Sequence, residues 1–331
     1  NLVVTPCYEI TITAASASKP YDGTPLTKNA STDYIISGTL MAGHKVTVEN
    51  FGSITQIAVD ENGNEINSVE NVLINYYITD GAGNDVSGYY DITTGNGTLT
   101  IDKSVLSLQA NSAEKVYDGT PLTCGEYSYV SGNLPSGHNM TLSMTADSTI
   151  TEVGAIANQI DRESIVITNA KGENVTHCFN IYLYEGELRV TKAEITISTY
   201  TANKVYDGTP LTSNGYKSSG DLIQGHTLHV TPNGSITTYL YGGVKNTFTY
   251  EIWANGKALT AEEIEKYYIV NENPGMLSIT RRSITVYTRS ASKPYDGTPL
   301  SCPEIEYIGG WDDLLTKHTY TTSDWASITK V

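Results

Sequence analysis

Nine residues, Lys19-Pro20-Tyr21-Asp22-Gly23-Thr24-Pro25-Leu26-Thr27, constrain this chain more than anything else in it, because they come back three times. They return as Lys115-Val116-Tyr117-Asp118-Gly119-Thr120-Pro121-Leu122-Thr123, as Lys204 to Thr212 with Tyr206, Asp207 and Gly208, and as Lys293 to Ser301 with Tyr295, Asp296 and Gly297. The tyrosines lie 96, 89 and 89 residues apart. That period exceeds the 20–50 residues of a solenoid turn or propeller blade and suits a small independent domain. The expected organisation is a tail of a preceding repeat at 1–7, repeats at 8–103, 104–192 and 193–281, and the first half of a fourth at 282–331.

The repeats share a second layer of pattern. Each opens on an alternating run, Ile10-Thr11-Ile12, Leu106-Ser107-Leu108, Ile195-Thr196-Ile197 or Ile284-Thr285-Val286, which reads as a half-buried strand. The Asp-Gly pair that follows is a turn signal, since glycine accepts positive φ without penalty. Ser37-Gly38 to His44 then matches Ser131 to His138 and Ser219 to His226, with a looser version ending at His318. The last third carries Asp80 to Ser87, Tyr90-Asp91-Ile92 and Gly97-Thr98-Leu99-Thr100-Ile101; the second repeat has Asn169 to Thr176, Phe179-Asn180-Ile181 and Gly186 to Val190. In the third, Thr260 and Glu263 form a capping box that predicts one or two helical turns. The fold class expected is all-β, a head-to-tail array of small sandwich-like modules, immunoglobulin-like or β-grasp-like. Joints without a Gly/Ser/Pro spacer, such as Asp102-Lys103, favour an extended rod.

Composition narrows function by exclusion. The net charge is −16 with no basic block, which argues against nucleic acid or an anionic membrane as partner. Tyr outnumbers Phe by 24 to 3, fitting thin β domains with much half-wet surface.

The motif K-x-Y-D-G-T-x-L-T near each start, with (D/N)-x-x-G-x-(D/N)-V-(S/T)-x-x-(Y/F)-x-I and G-x-L-x-(I/V) near each end, resembles the YDG- and MBG-type repeats of large bacterial surface proteins. The resemblance covers three repeats and half of the fourth. It implies an extracellular, often cell-wall-attached, adhesin-like protein whose tandem β domains serve in stalk or adhesion roles. The chain departs from the pattern by the helical insert of repeat three and by Cys178 in repeat two, where the others have Tyr89 and Tyr267.

Each candidate chemistry meets a simpler reading. The motif lysines (Lys19, Lys115, Lys204, Lys293) would need a recurring Asn on the closing strand to form an isopeptide bond, but Asn96 aligns with Glu185 and Pro274. The expectation is a lysine stem packed over the motif tyrosine. The motif aspartates (Asp22, Asp118, Asp207, Asp296), and Asp60, Asn62 and Asn64, invite calcium, yet residues 60–71 fail the calcium-loop pattern, so each Asp is expected to bond its own turn. No metal or other cofactor is expected. Cys124 and Cys178 share a repeat and allow one disulfide; free, partly buried thiols are the alternative. The recurring histidines (His44, His138, His226, His318) lack a repeated nucleophile or acid, which makes an enzyme improbable. The reading is a stalk or spacer of a bacterial surface protein whose partners are neighbouring repeats. The alternatives are modules that bind host glycan, mucin or protein, and a surface filament that self-assembles through exposed strand edges.

Overall fold

The computed structural model describes residues 8–28, 33–49 and 52–308. The preceding tail at 1–7 with Cys7, and the region from 309 onward with Trp311, His318 and Trp325, lie outside them. Strands dominate, gathered into many small sheets. Two compact units are present, one of residues 1–115 and 119–190, the other of residues 116–118 and 191–331.

In the first unit, the opening strand Tyr8–Ala14 lies at the centre of a sheet. It pairs antiparallel with Tyr34–Gly38 and parallel with Tyr90–Gly95 in the register Ile10 to Ile92. After a bend at Ala15-Ser16 the chain continues as Ala17–Pro20, again parallel, along Gly97–Asp102. Opening and closing segments thus run side by side in the same direction through two sheets. Parallel pairing of distant segments is invisible to local pattern. It also differs from the purely antiparallel sheets of an immunoglobulin sandwich. The second repeat duplicates the plan, Ser104–Ala110 lying between Phe179–Tyr184 (parallel) and Tyr127–Ser131 (antiparallel).

Gly97 marks the bend. A Cβ there would sit 2.4 Å from the Ala15 carbonyl oxygen and 2.5 Å from that of Ala14, so only glycine lets the two segments approach. Gly186 and Gly275 meet the same obstruction, from Asn111 and Thr199. A buried asparagine locks each bend. Asn71 Nδ2 donates to the Ala15 carbonyl at 2.9 Å. Asn158 bridges the Asn111 and Cys124 carbonyls at 2.8 and 2.9 Å. Asn246 does the same for Tyr200 and Ser213 at 3.1 and 2.9 Å.

The alternating pattern buries one face of each strand, and each fully buried Ile or Leu contributes roughly 1.5–3 kcal/mol. One core holds Ile10, Ile12, Val46, Val48, Ile78 and Tyr90. Another runs unbroken from repeat one (Tyr21, Ile57, Leu99, Ile101) into repeat two (Leu106, Leu108, Ile167, Phe179).

In the second unit, Ala193–Thr199 is central between Tyr216–Ser219 and the parallel Tyr268–Asn273. Its helix, Ala261–Tyr267, is closed by the capping box: Thr260 N–H donates to Glu263 and Glu263 N–H to the Thr260 hydroxyl. Short 3-10 turns at Ser87–Tyr89 and Thr176–Cys178 occupy the matching place in the first unit and have no sequence signal of their own.

Candidate functional site

The recurring turn is built the same way in repeats one, three and four. Asp22 Oδ1 accepts from the Thr24 N–H at 2.9 Å and its hydroxyl at 2.7 Å; Asp207 and Asp296 repeat both bonds with Thr209 and Thr298. Gly23, Gly119, Gly208 and Gly297 all take positive φ. The charged end of Lys19 belongs to the turn. Its ammonium reaches across the turn to Asp22 Oδ1 and the Thr24 carbonyl, both at 2.8 Å, and Lys204 repeats this at 2.7 Å. Lys115 holds the Thr120 carbonyl at 2.6 Å. A loop closed by its own chain leaves several carbonyl acceptors together, and an ammonium with three donors satisfies them. Burial raises the Asp22 carboxyl more than any one bond lowers it, but the bonds from Lys19 and Thr24 together hold it at about 2; the Lys293 and Thr298 bonds do the same for Asp296.

This rigid turn presents its tyrosine outward from its own repeat. Tyr21 is nevertheless only 3% exposed, because it enters repeat two. Its hydroxyl lies 2.8 Å from His138 Nε2, and its ring stands edge-on to His138 and Phe179 at 5.6 and 5.5 Å. Ser104 Oγ donates to the Tyr21 carbonyl at 2.5 Å. Around it, His177 Nε2 lies 2.8 Å from the Ile57 carbonyl oxygen, and Asn169 Nδ2 donates to Gln56 at 3.4 Å. Burial, with Cys178, Glu173 and Asp22 nearby, pushes the Tyr21 phenol up to about 12. Gly23 is needed twice over, since a Cβ there would come within 2.7 Å of the His138 ring.

The second unit seats Tyr117 differently. Its ring stacks on Tyr267 at 4.3 Å with the planes 18° apart. The histidine explains why. His226 Nδ1 lies 2.8 Å from the hydroxyl of Tyr268, which also accepts from the Ile223 N–H. In repeat one His44 and Tyr90 make the same bond at 2.8 Å, and Met41 N–H donates to Tyr90. Repeat two has Phe179 in that place and so offers its histidine no internal hydroxyl. His138 bonds the incoming Tyr21 instead. The four motif tyrosines, Tyr21, Tyr117, Tyr206 and Tyr295, therefore do not share one environment; Tyr295 is 72% exposed.

The geometry also places the cysteines and the loop at Asp60. Cys124 and Cys178 are free thiols, so the disulfide is not formed. Cys178 is buried against the Ile57 carbonyl, while Cys124 lies beside the Asn158 lock. Asp60 spends both oxygens within its own loop, on the Asn62 and Asn64 N–H groups and the Asn64 amide. Among the described residues no cluster of His, Cys, Asp or Glu could hold a metal ion, and no helix is long and apolar enough to cross a membrane.

No family model and no curated protein matches the sequence. Among solved structures, the chain is similar at 13% identity to the N-terminal eight Ig domains of Down Syndrome Cell Adhesion Molecule, covering 91% of this chain and 41% of that one, with a TM-score of 0.16. Against the N-terminal four Ig domains of a Dscam1 isoform the identity is 11%, the coverage 84% and 74%, and the TM-score 0.15. For Drosophila N-cadherin EC1-4 the values are 11%, 83% and 76%, and 0.16.

Proposed function

We propose that this chain is a structural spacer, a head-to-tail array of β modules in the extracellular part of a bacterial surface protein of the YDG/MBG-repeat kind. The observation that carries the proposal is Tyr21: the aromatic residue of the fourfold motif is spent here on the next module. Its turn is rigidified by lysine and aspartate, and its ring is buried in repeat two. A motif dedicated to holding neighbours together is what a spacer needs, and a ligand-binding array would instead repeat an open surface. The role is structural, not catalytic, and the array holds some other domain away from the cell envelope.

Small-angle X-ray scattering of the full chain tests the arrangement. The expected profile is that of an elongated particle with a maximum dimension several times its cross-section; a compact profile overturns it. Titration against a glycan and mucin panel, with and without calcium, tests the role. No saturable binding is expected, whereas binding abolished by replacing an exposed aromatic such as Tyr241 would make the modules adhesive.

A further inference from the structure

We infer that Tyr89 of repeat one is an open seat for one more motif tyrosine, and that its occupant is the Tyr-Asp-Gly turn of a like module joined on the N-terminal side of Tyr8. This rests on the array reading above. Tyr89 holds in repeat one the place that Tyr267 holds in repeat three and Cys178 in repeat two, at the end of the short helical turn before the closing strand. Both of those places are covered: Cys178 is buried in the core that takes in Tyr21, and Tyr267 is stacked under Tyr117. Tyr89 is 54% exposed.

The rest of the seat is already assembled. The Tyr90 hydroxyl lies 2.8 Å from His44 Nδ1 and takes the Met41 N–H at 3.1 Å, matching Tyr268 with His226 and the Ile223 N–H at 2.8 and 3.1 Å. His44 meets the tyrosine of its own repeat as His226 does, whereas His138 has Phe179 in that place and takes Tyr21 on Nε2 while its Nδ1 faces the Ser136 carbonyl. Repeat one also carries an aromatic ring, Tyr89, where repeat three has the stacked Tyr267. The seat on repeat one is therefore of the stacking kind, and the incoming ring lies flat on Tyr89. Delivery follows from the joints. Tyr21 N–H donates to the Asp102 carbonyl and Tyr117 N–H to the Thr191 carbonyl, each at 2.8 Å. A motif tyrosine is thus fixed to the end of its own closing strand, one residue before the next opening strand starts. A closing strand that runs into Tyr8 brings its tyrosine toward Tyr89. Leu2-Val3-Val4-Thr5 has the sequence pattern of such a strand, as in Leu188-Arg189-Val190-Thr191, with Pro6-Cys7 before Tyr8 where Lys192 alone precedes Ala193.

The test is tyrosine nitration read by peptide mass spectrometry, on the full chain and on the same chain lengthened by a second copy of residues 104–187 spliced onto Leu2. In the full chain Tyr89 is expected to be nitrated several-fold faster than Tyr21 and Tyr267. In the lengthened chain its rate is expected to fall several-fold, and alanine at the motif tyrosine of the added copy to restore it. An unchanged Tyr89 rate, with Tyr21 and Tyr267 still protected, overturns the seat and leaves the array reading standing. Rapid nitration of Tyr21 as well overturns both. Protection of Tyr89 that grows with protein concentration in the unlengthened chain overturns the joined module and identifies a second copy as the occupant.

Discussion

Tyr21 does two jobs with one side chain, and they can be separated. Its ring fills space between His138 and Phe179, and its hydroxyl meets His138. Tyr21→Ala is expected to destabilise the first unit by about 3–5 kcal/mol, the range for emptying a buried aromatic site. Tyr21→Phe should cost only about 1 kcal/mol, the net value of a hydrogen bond. Urea unfolding of the full chain and both variants checks the contrast. The pH dependence follows from the same burial. With its phenol raised from 10.0 to about 12, the folded joint favours the neutral ring. Its contribution is complete below pH 10 and is lost as the pH climbs from 10 to 12, because the unfolded chain gives up this proton first. Burial also raises the phenols of Tyr34, Tyr129, Tyr250 and Tyr268, so phenolate absorbance should show a group of late-titrating tyrosines, with one fewer in Tyr21→Phe. Asp22 works with the opposite sign: lowered from 3.8 to about 2, its contribution is present above that ordinary value and fades as acid is added.

At the scale of the elements, the bend shared by opening and closing strands decides whether a module closes. Gly186→Ala forces a methyl against the Ala110 and Asn111 carbonyls and is expected to cost about 1–3 kcal/mol, as overpacking does. Asn158→Ala strips the Asn111 and Cys124 carbonyls of their donor, with a similar expected loss of about 1–3 kcal/mol. Thermal unfolding followed by circular dichroism reads both. The Asp-Gly turns, the opening strands and the capped helix were legible in the sequence because their causes are local: a residue that takes positive φ, alternation along one strand, and a Thr and a Glu three apart. The asparagine lock was not. Asn71, Asn158 and Asn246 are unremarkable letters at strand ends, and their partners lie 33 to 56 residues away. The destination of the Lys19 ammonium has no local signal either, because the Thr24 and Pro25 carbonyls that take it come together only in the folded turn. The division of labour between His44 and His138 was written in the exchange of Tyr90 for Phe179, although nothing local says those residues meet.

For the whole molecule, the shortness of the joints matters more than their chemistry. Lys103 alone separates the closing strand ending at Asp102 from the opening strand at Ser104. Four glycines inserted at Lys103 are expected to leave both repeats folded while withdrawing Tyr21 from His138 and Phe179. Calorimetry should then resolve two transitions in place of one for the first unit, and Tyr21 should become open to nitration.

The parallel pairing of opening and closing strands has a consequence under tension. In such a pair the chain enters at one end of the ribbon and leaves at the other. A pull on the two ends of a module drags Tyr8–Pro20 and Tyr90–Asp102 past each other along their length. The hydrogen bonds of the ribbon are then loaded together, in shear, and must fail as a group, whereas a hairpin pulled from its open end unzips one bond at a time. A module of ordinary thermodynamic stability should therefore hold against stretching well beyond what that stability suggests.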